Sequence, residues 1–314
     1  MTGKKRIAIT MGDAAGIGPE VIVKSVKIIS QFCEPVLICD GAFLESQAKK
    51  FRADISGAAI VDLNNIKKPV RSGKVSAVAG RAAYEYIVEA VSQALVEDVS
   101  AVVTAPINKE SFSRAGVNFP GHTELLAALT GTREFAMMLC GGGLRVVLVT
   151  THAALKEVPA LITQKQVLSK IGLTFDYLKN GIKISRPRIG VAGLNPHAGD
   201  GGIFGTEERK VIIPAIKAAR AKYRRGVIAG PVAPDSLFYK AKRGEYDAVV
   251  CMYHDQGLVA LKMEAFEEGV NVTLGLPIIR TSPDHGTAFD IAGKGRADTS
   301  SFVEAVKMAA KLSL

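Results

Sequence analysis

Short apolar runs alternate with longer amphipathic stretches along most of the chain. The short runs are rich in β-branched residues and have the length of buried strands, whereas the longer stretches repeat their apolar positions with the helical period. The predicted strands are 6–10, 35–39, 101–104, 145–150, 188–192 and 248–252. The predicted helices are 19–29, 82–96, 123–129, 163–177, 207–223 and 300–312. Strands separated by helices predict an α/β fold with a largely parallel sheet.

Size and composition narrow this prediction to a globular protein of more than one lobe. The chain has 314 residues, of which 48% are hydrophobic and 22% are charged. Single hydrophobic cores stop growing at about 250–300 residues, so the length favours two packed lobes. No stretch approaches the ~20 apolar residues of a membrane span, and too few apolar residues follow the basic start of the chain for a signal peptide. We therefore expect a cytoplasmic protein that has no membrane contact.

The net charge of +10 is spread over mixed segments with helical spacing, such as 217–225 and 240–243. Such segments are typical of solvated helix faces, and a positive field that attracts anionic substrates is the alternative. Tryptophan is absent and aromatic residues are scarce, which argues against nucleic-acid binding. The four cysteines lack CxxC spacing and lie in apolar stretches, which predicts buried, reduced thiols.

Three histidines follow predicted strands, and the strand-end loops of α/β sheets are where ligands bind. They are His152, His197 and His254. Imidazoles from the ends of neighbouring strands can converge on one metal ion and leave an open coordination position for a substrate. The alternative is that each is a hydrogen-bonded loop histidine, because the spacings match no short-range metal motif.

Two further segments have features of anion-binding loops. Residues 12–20 (GDAAGIGPE) have the strand, glycine turn and helix layout of a phosphate loop, but they match neither of the two common nucleotide-binding motifs. Residues 120–124 (PGHTE) open a predicted helix, with Thr123 as its N-cap and His122 beside it. A helix N-terminus suits a phosphate or carboxylate, and plain helix capping is the alternative.

Taken together, these loops resemble the 4-hydroxythreonine-4-phosphate dehydrogenase family of vitamin B6 biosynthesis, including its relatives that act on D-threonate or D-erythronate 4-phosphate. The resemblance runs nearly end to end. It rests on residues 12–20, TAPINK at 104–109, 120–124, 151–152, NPHAG at 195–199, 234–235, YHDQG at 253–257 and 269–298. It implies a two-domain α/β/α fold like that of isocitrate and isopropylmalate dehydrogenases, with a cleft between a discontinuous domain, 1–125 plus 275–314, and a second domain, 126–274.

The resemblance also implies the site residues. His152, His197 and His254 would bind one divalent ion (zinc, magnesium or cobalt) at a homodimer interface. The implied substrate ligands are His122, Thr123, Lys262, Asn271 and Arg280. The implied NAD or NADP ligands lie in DHGTAFDIAG at 284–293 and are His285, Gly286, Thr287, Ala288, Asp290, Ile291 and Gly293.

The reaction implied is the NAD-dependent oxidation of 4-phosphohydroxy-L-threonine at C3, followed by decarboxylation to 3-amino-2-oxopropyl phosphate. Lys109, Asp255 and a hydroxide on the metal ion are candidates for the general base. Ala14 replaces a frequent proline and Pro283 a common valine of the family, so substrate preference stays open. The alternatives are oxidation of D-threonate or D-erythronate 4-phosphate, an acyl- or phosphoryl-transfer enzyme on the same scaffold, and a metabolite-binding protein.

Overall fold

The computed structural model describes residues 4–313, which form two compact α/β units. Unit 1 comprises Met1–Arg133 and Leu276–Leu314, and unit 2 comprises Glu134–Gly275. Unit 1 is therefore discontinuous, and its first segment extends to Arg133 rather than to residue 125. The α/β fold class that the sequence predicts is confirmed.

In chain order, the strands are β1 (Arg6–Thr10), β2 (Glu34–Cys39), β3 (Ala59–Asp62), β4 (Ala101–Thr104), β5 (Ala136–Gly141), β6 (Leu144–Leu148), β7 (Arg188–Ala192), β8 (Val227–Val232), β9 (Ala248–Cys251), β10 (Val270–Leu274) and β11 (Arg280–Pro283). The helices are α1 (Gly18–Ile29), α2 (Gly41–Phe51), α3 (Ala77–Leu95), α4 (Lys109–Arg114), α5 (His122–Leu129), α6 (Val158–Leu161), α7 (Gln164–Asp176), α8 (Ile213–Lys222), α9 (Pro234–Lys242), α10 (His254–Glu264) and α11 (Ser300–Leu312). A turn of π-helix, Glu208–Ile212, precedes α8.

Unit 1 is built on parallel strands in the order β3-β2-β1-β4-β11. Strands β1 and β4 are almost wholly buried, which explains why their sequences are continuous apolar runs rather than alternating ones. Helix α3 packs on β1, β2 and β4, and α11 packs on β11, β4 and β1. The late segment β11 thus completes a sheet that begins near the start of the chain.

Unit 2 has a mixed sheet in the order β10-β5-β6-β9-β7-β8. Strands β6, β9, β7 and β8 run parallel, but β5 is antiparallel to both β10 and β6. The prediction of a largely parallel sheet is wrong for β5, because Gly142 and Gly143 form a tight turn between β5 and β6. Their φ angles of 56° and 83° are the left-handed values that such hairpin turns require.

The predicted helix 207–223 is divided into the π turn and α8, and α3 begins at Ala77, earlier than predicted. Several elements were not predicted, namely β3, β5, β8, β10, β11, α2, α4, α6, α9 and α10. Strand β3, for example, is mostly exposed and carries no buried apolar run.

The four cysteines are buried and free, as predicted. Burial raises the pKa of the Cys33 thiol to about 12, so that thiol is protonated at neutral pH. Across residues 4–313, none of the helices combines the length and the apolar character that a bilayer crossing requires.

Candidate active site

The three histidines predicted to bind a metal ion all lie at the carboxyl ends of parallel, neighbouring strands of unit 2. His152 follows β6, His254 follows β9 and His197 follows β7, in the sheet order β6-β9-β7. His254 is the first residue of α10, so its placement in a loop by the sequence is wrong. A short turn joins β9 to this helix. The glycine at position 257 lies inside the helix and weakens its helical pattern in the sequence.

The rings of His152 and His254 are close enough to serve one ion. Their centroids are 5.8 Å apart, and Nδ1 of His254 lies 2.7 Å from Oδ1 of Asp255. A carboxylate on one ring nitrogen leaves the other nitrogen directed at a metal, an arrangement common around zinc. Two imidazoles at this separation could contribute to one divalent-ion site.

The ring of His197 lies 6.1 Å from the ring of Phe204. Within residues 4–313, no group of three or more His, Cys, Asp or Glu side chains could hold a metal ion. The three-histidine site therefore stays a prediction, with two of its donors together in one chain.

The loop that carries His197 has an unusual backbone. Six consecutive residues have positive φ angles: His197 (53°), Ala198 (55°), Gly199 (84°), Asp200 (40°), Gly201 (65°) and Gly202 (107°). The three that are not glycine cost roughly 1–2 kcal/mol each, or about 3–6 kcal/mol together. We call residues 193–205 the His197 loop, and its conformation requires a compensating interaction.

Glu208 supplies that interaction from the start of the π turn. It is 2% exposed, and its Oε1 accepts hydrogen bonds from the backbone N–H groups of Leu194 (2.8 Å) and Asn195 (2.7 Å). Its Oε2 accepts a third bond, 3.0 Å long, from the side-chain amide of Asn195. Hydrogen bonds to a charged acceptor contribute about 1.5–3 kcal/mol each, which is enough to offset the strain of the loop.

In unit 1, Arg280 places a buried positive charge at the end of β4. The residue is 2% exposed, and its Nη2 and Nε donate to Oγ1 of Thr104 over 2.6 and 3.2 Å. Burial lowers the pKa of Arg280 to about 9, so the guanidinium is still charged at neutral pH. A buried guanidinium at a strand end is suited to a phosphate or carboxylate.

His122 lies beside this guanidinium. Burial, and then the charge of Arg280, lower the pKa of His122 well below its ordinary value, so the imidazole is neutral at physiological pH. It is the first residue of α5, whose N-cap is Gly121, so the prediction of Thr123 as N-cap is wrong. A Cβ atom added at Gly121 would lie 4.0 Å from Cε of Lys109, which places that lysine near the same helix end.

The glycine-rich segment 12–20 holds a buried carboxylate. Asp13 is fully buried, and its Oδ1 accepts a hydrogen bond of 2.8 Å from the N–H of Ala15. Burial raises the pKa of Asp13 above its ordinary value, against the lowering effect of hydrogen bonds from Ala15, Ser111 and Asn108. The group is therefore easier to protonate than a surface aspartate.

The segment predicted to bind NAD, 284–293, packs against segment 12–20. The N–H of Ile17 donates to the carbonyl oxygen of Thr287 over 3.0 Å. A Cβ atom at Gly16 would lie 2.9 Å from Cβ of Thr287, so only glycine allows this approach. His285 keeps Nδ1 3.1 Å from the carbonyl oxygen of Gly286.

Glu20 fixes the end of the same segment. This residue of α1 is 1% exposed, and its carboxylate accepts hydrogen bonds from the N–H groups of Gly295 (3.2 Å) and Ala297 (2.9 Å). Lys24 pairs with Glu20 over 2.6 Å and donates to the carbonyl oxygen of Gly295 over 2.9 Å. We call residues 284–297 the C-terminal loop, and it is held by the first helix of the chain.

The two other predicted substrate ligands belong to unit 2. Asn271 lies on β10 opposite Leu139 of β5, and Lys262 lies in the last turn of α10. The ammonium of Lys262 is 5.1 Å from the ring centroid of Phe266. Asp255, a candidate base, has a side chain that is 78% exposed.

Buried polar atoms that lack a hydrogen-bond partner mark places where a ligand would complete the structure. Within residues 4–313, seven side-chain atoms are of this kind: Thr10 Oγ1, Asp13 Oδ2, Ser25 Oγ, Gln93 Oε1, His122 Nε2, Asn271 Oδ1 and His285 Nε2. Three of the seven belong to residues that the family resemblance assigns to substrate or cofactor.

Sequence reasoning missed Asp13, Glu20 and Glu208. The first two lie in the segment 12–20, which was singled out for its glycines. The two acidic residues in that segment could have indicated buried carboxylates there. Glu208 follows the predicted loop 195–199 by several residues, and only the folded chain shows which groups it contacts.

In both α/β units, side chains suited to binding ligands lie at the ends of strands, as they do in α/β enzymes. The model of the family described as "pyridoxal phosphate biosynthetic protein PdxA" matches residues 31–309. This chain belongs to that family.

Its relatives are close along their whole length. The 4-hydroxythreonine-4-phosphate dehydrogenase of Desulfosudis oleivorans is 47% identical, covering 98% of this chain and 96% of the relative. The D-threonate 4-phosphate dehydrogenase of Cupriavidus necator is also 47% identical, covering 98% and 97%. The crystal structure of the Klebsiella pneumoniae 4-hydroxythreonine-4-phosphate dehydrogenase matches with a TM-score of 0.89 at 39% identity, covering 99% and 98%. All three are dehydrogenases by name, which supports an oxidoreductase here.

Proposed function

We propose that this protein oxidises the C3 hydroxyl of 4-phosphohydroxy-L-threonine with NAD⁺ and a divalent metal ion. The resulting β-keto acid loses CO₂ to give 3-amino-2-oxopropyl phosphate. Family membership and the names of relatives support the dehydrogenase class.

One observation carries the assignment to these residues. His122, Asn271 and His285 were assigned to substrate or cofactor before the structure was considered, and each has a buried polar atom without a hydrogen-bond partner within residues 4–313. A folded protein leaves few such atoms, because each costs about 1–3 kcal/mol. A bound substrate and cofactor would supply the missing partners.

In unit 1, Arg280 and the N-terminus of α5 hold an anionic group of the substrate. The guanidinium is charged and already oriented by Thr104, so little reorganisation accompanies binding. His122 is neutral and offers one nitrogen as a donor or acceptor to the same molecule. Thr123, in the first turn of α5, adds a hydroxyl and a backbone N–H at the positive end of the helix.

The proton of the C3 hydroxyl must pass to a base while the hydride leaves. Lys109 and Asp255 are the two candidates among the side chains. Lys109 lies near the first turn of α5, and Asp255 is hydrogen-bonded to His254. Lys262 and Asn271 complete the proposed set of substrate ligands from unit 2.

His152, His197 and His254 would hold the divalent ion. A bound dication lowers the pKa of a coordinated hydroxyl and stabilises the charge that develops on oxygen during both steps. The fit of His152 and His254 to one ion, and the carboxylate of Asp255 behind His254, support this assignment.

The C-terminal loop would hold NAD or NADP. His285, Gly286, Thr287, Ala288, Asp290, Ile291 and Gly293 are its proposed ligands. The unpartnered Nε2 of His285 and the close glycine contacts that shape this segment support the proposal.

The protein is proposed to act as a homodimer. Helix α10, which begins with His254, exposes the apolar side chains of Val259 and Met263, and Phe266 just after the helix is exposed as well. Burial of such side chains against a second copy would remove apolar surface from water.

D-Threonate 4-phosphate is the second candidate substrate. The D-threonate 4-phosphate dehydrogenase of Cupriavidus necator has the same sequence identity to this chain, 47%, as the 4-hydroxythreonine-4-phosphate dehydrogenase of Desulfosudis oleivorans. The two substrates differ at C2, where one has an amino group and the other a hydroxyl.

The test is NADH formation, followed by absorbance, with 4-phosphohydroxy-L-threonine, D-threonate 4-phosphate and D-erythronate 4-phosphate, each with and without a chelator. We expect turnover with one of the first two, its loss on chelation and its return when Zn²⁺, Mg²⁺ or Co²⁺ is added. Light scattering on the same samples is expected to give the mass of a dimer. Absence of NADH with every substrate, or turnover that a chelator leaves unchanged, would contradict the proposal.

A further inference from the structure

We propose that Glu208 is a positioning residue for metal binding, because it holds the His197 loop in the left-handed conformation that presents His197. This inference rests on the proposed function, since it takes His197 as a ligand of the ion. Glu208 itself is not proposed to touch metal, substrate or cofactor.

The carboxylate of Glu208 lies directly under the backbone that leads to His197. Its Oε1 accepts from two consecutive N–H groups, those of Leu194 and Asn195, just after β7 ends. These donors would otherwise be partly buried without an acceptor, because the chain has left the sheet there. The carboxylate therefore determines the direction in which the chain leaves the strand.

The turn itself is fitted closely to the same carboxylate. A Cβ atom at Gly199 would lie 2.6 Å from Oε2 of Glu208, and one at Gly193 would lie 2.7 Å from Cα of Ala198. Both glycines are thus required by the close approach of the turn to Glu208 and to the strand end. His197, by contrast, is exposed.

The burial of Glu208 beneath a loop whose histidine is exposed is not explained by the packing of apolar side chains. An exposed loop of this length could adopt right-handed turns without strain, so the left-handed run must be imposed by its surroundings. Glu208 also begins a turn of π-helix, a feature that often occurs at functional sites. Groups behind metal ligands orient the residues that bind the ion, and Glu208 would do so through the backbone that leads to His197.

The test measures the dissociation constant for Co²⁺ alone, by titration of the metal-free full-length protein, well below its unfolding temperature. The variants are Glu208→Ala, Glu208→Gln and His197→Ala, and Glu245→Gln is the control because Glu245 is an exposed residue of unit 2. Circular dichroism and thermal unfolding verify that each variant is folded at the temperature of the titration.

We expect Glu208→Ala to weaken Co²⁺ binding about 10- to 100-fold, the range found for outer residues of metal sites. Glu208→Gln should restore much of the affinity, because its amide oxygen can still accept from Leu194 and Asn195 while its NH₂ group cannot accept from the Asn195 amide. Glu245→Gln should bind as the wild type does. A role in stability alone would lower the unfolding temperature without changing the affinity of the folded protein.

The outcomes separate this inference from the function on which it rests. If wild type and His197→Ala bind Co²⁺ equally, His197 is not a ligand, and both the metal assignment and the inference are overturned. If His197→Ala binds weakly but folded Glu208→Ala binds as wild type does, only the positioning role is overturned. Should Glu208→Ala fail to fold, Glu208→Gln decides, because it loses one of the three hydrogen bonds that hold the loop. An affinity for Co²⁺ between those of wild type and His197→Ala supports the positioning role, and an affinity equal to that of wild type refutes it.

Discussion

Each unit contains a buried glutamate that holds a loop to which we assign a ligand, but the two reach their loops across very different lengths of chain. Glu208 of unit 2 binds the N–H groups of Leu194 and Asn195, 14 and 13 residues away. Glu20 of unit 1 binds those of Gly295 and Ala297, 275 and 277 residues away. The first contact closes a short local loop, whereas the second connects the first helix to the end of the chain.

The surroundings of the two carboxylates also differ. Glu20 is paired with Lys24 at 2.6 Å, so a side-chain cation offsets its charge. The hydrogen bonds of Glu208 come from the backbone N–H groups and from the Asn195 amide. A local loop can thus be held by neutral donors alone. The distant loop is held by a charged pair that contacts both the N–H and the carbonyl oxygen of Gly295.

The largest effect is expected for Glu20→Ala. The substitution leaves two N–H donors without their acceptor and separates Lys24 from its partner, so we expect a loss of about 2–4 kcal/mol in the free energy of unfolding. Urea unfolding measures this loss. The KM for NAD⁺ should rise at least tenfold while the affinity for Co²⁺ stays within twofold of wild type. If the binding of NAD⁺ and of Co²⁺ weakened equally, the two glutamates would not differ in the ligand whose binding they support.

Gly199→Ala should have the next largest effect, with Gly201→Ala as its matched control. Both glycines have left-handed φ angles, but an added Cβ meets Glu208 only at Gly199, and at Gly201 there is nothing within 4 Å. We expect a loss of about 2–3 kcal/mol for Gly199→Ala and about 1 kcal/mol for Gly201→Ala in urea unfolding. Equal losses would show that backbone conformation alone, and not contact with the carboxylate, limits this loop.

The smallest effect concerns Asp13, in the segment that packs against the C-terminal loop. Its folded-state pKa is raised, so its charge opposes folding; this opposition is absent below about pH 3.8, grows as the pH rises through the folded-state pKa and is complete above it. Asp13→Asn should therefore stabilise the protein at pH 7, and less as the pH falls toward 4.

Unfolding in urea at pH 4, 5.5 and 7 measures this trend. Asp54→Asn is the control of opposite sign, because hydrogen bonds from Ser56 lower the pKa of Asp54 in the folded state. The stability of that variant relative to wild type should be nearly constant over these three pH values and should rise only below about pH 3.8, where Asp54 of the wild type loses its charge. A gain for Asp13→Asn that does not depend on pH would contradict a role for the buried charge.

The sequence predicted the elements whose signals are local. Strands β1, β4 and β7 and helix α11 were predicted with their observed bounds, because each is a compact apolar run or a regular amphipathic stretch. The order of β6, β9 and β7 also agrees with the expectation that the three histidines follow neighbouring strands.

Elements that depend on distant partners could not be predicted. Strand β5 pairs with β10, which lies far along the chain, and β3 is a short edge strand without an apolar pattern. The hydrogen bonds of Glu20 with Gly295 and Ala297 form only when two distant segments of the chain come together in the fold. A local sequence pattern therefore cannot predict them. For the same reason, the sequence named the histidines at the strand ends but not the carboxylate under one of them.

The late position of β11 affects how the protein is made on the ribosome. Until Arg280–Pro283 has been synthesised, β4 is an unpaired edge strand of four buried, largely apolar residues. Exposed edges of this kind invite pairing with other chains, so the nascent protein is most prone to aggregation just before its final segment emerges. Release of the polypeptide before β11 is made would therefore leave β4 as an exposed edge that can pair with other chains.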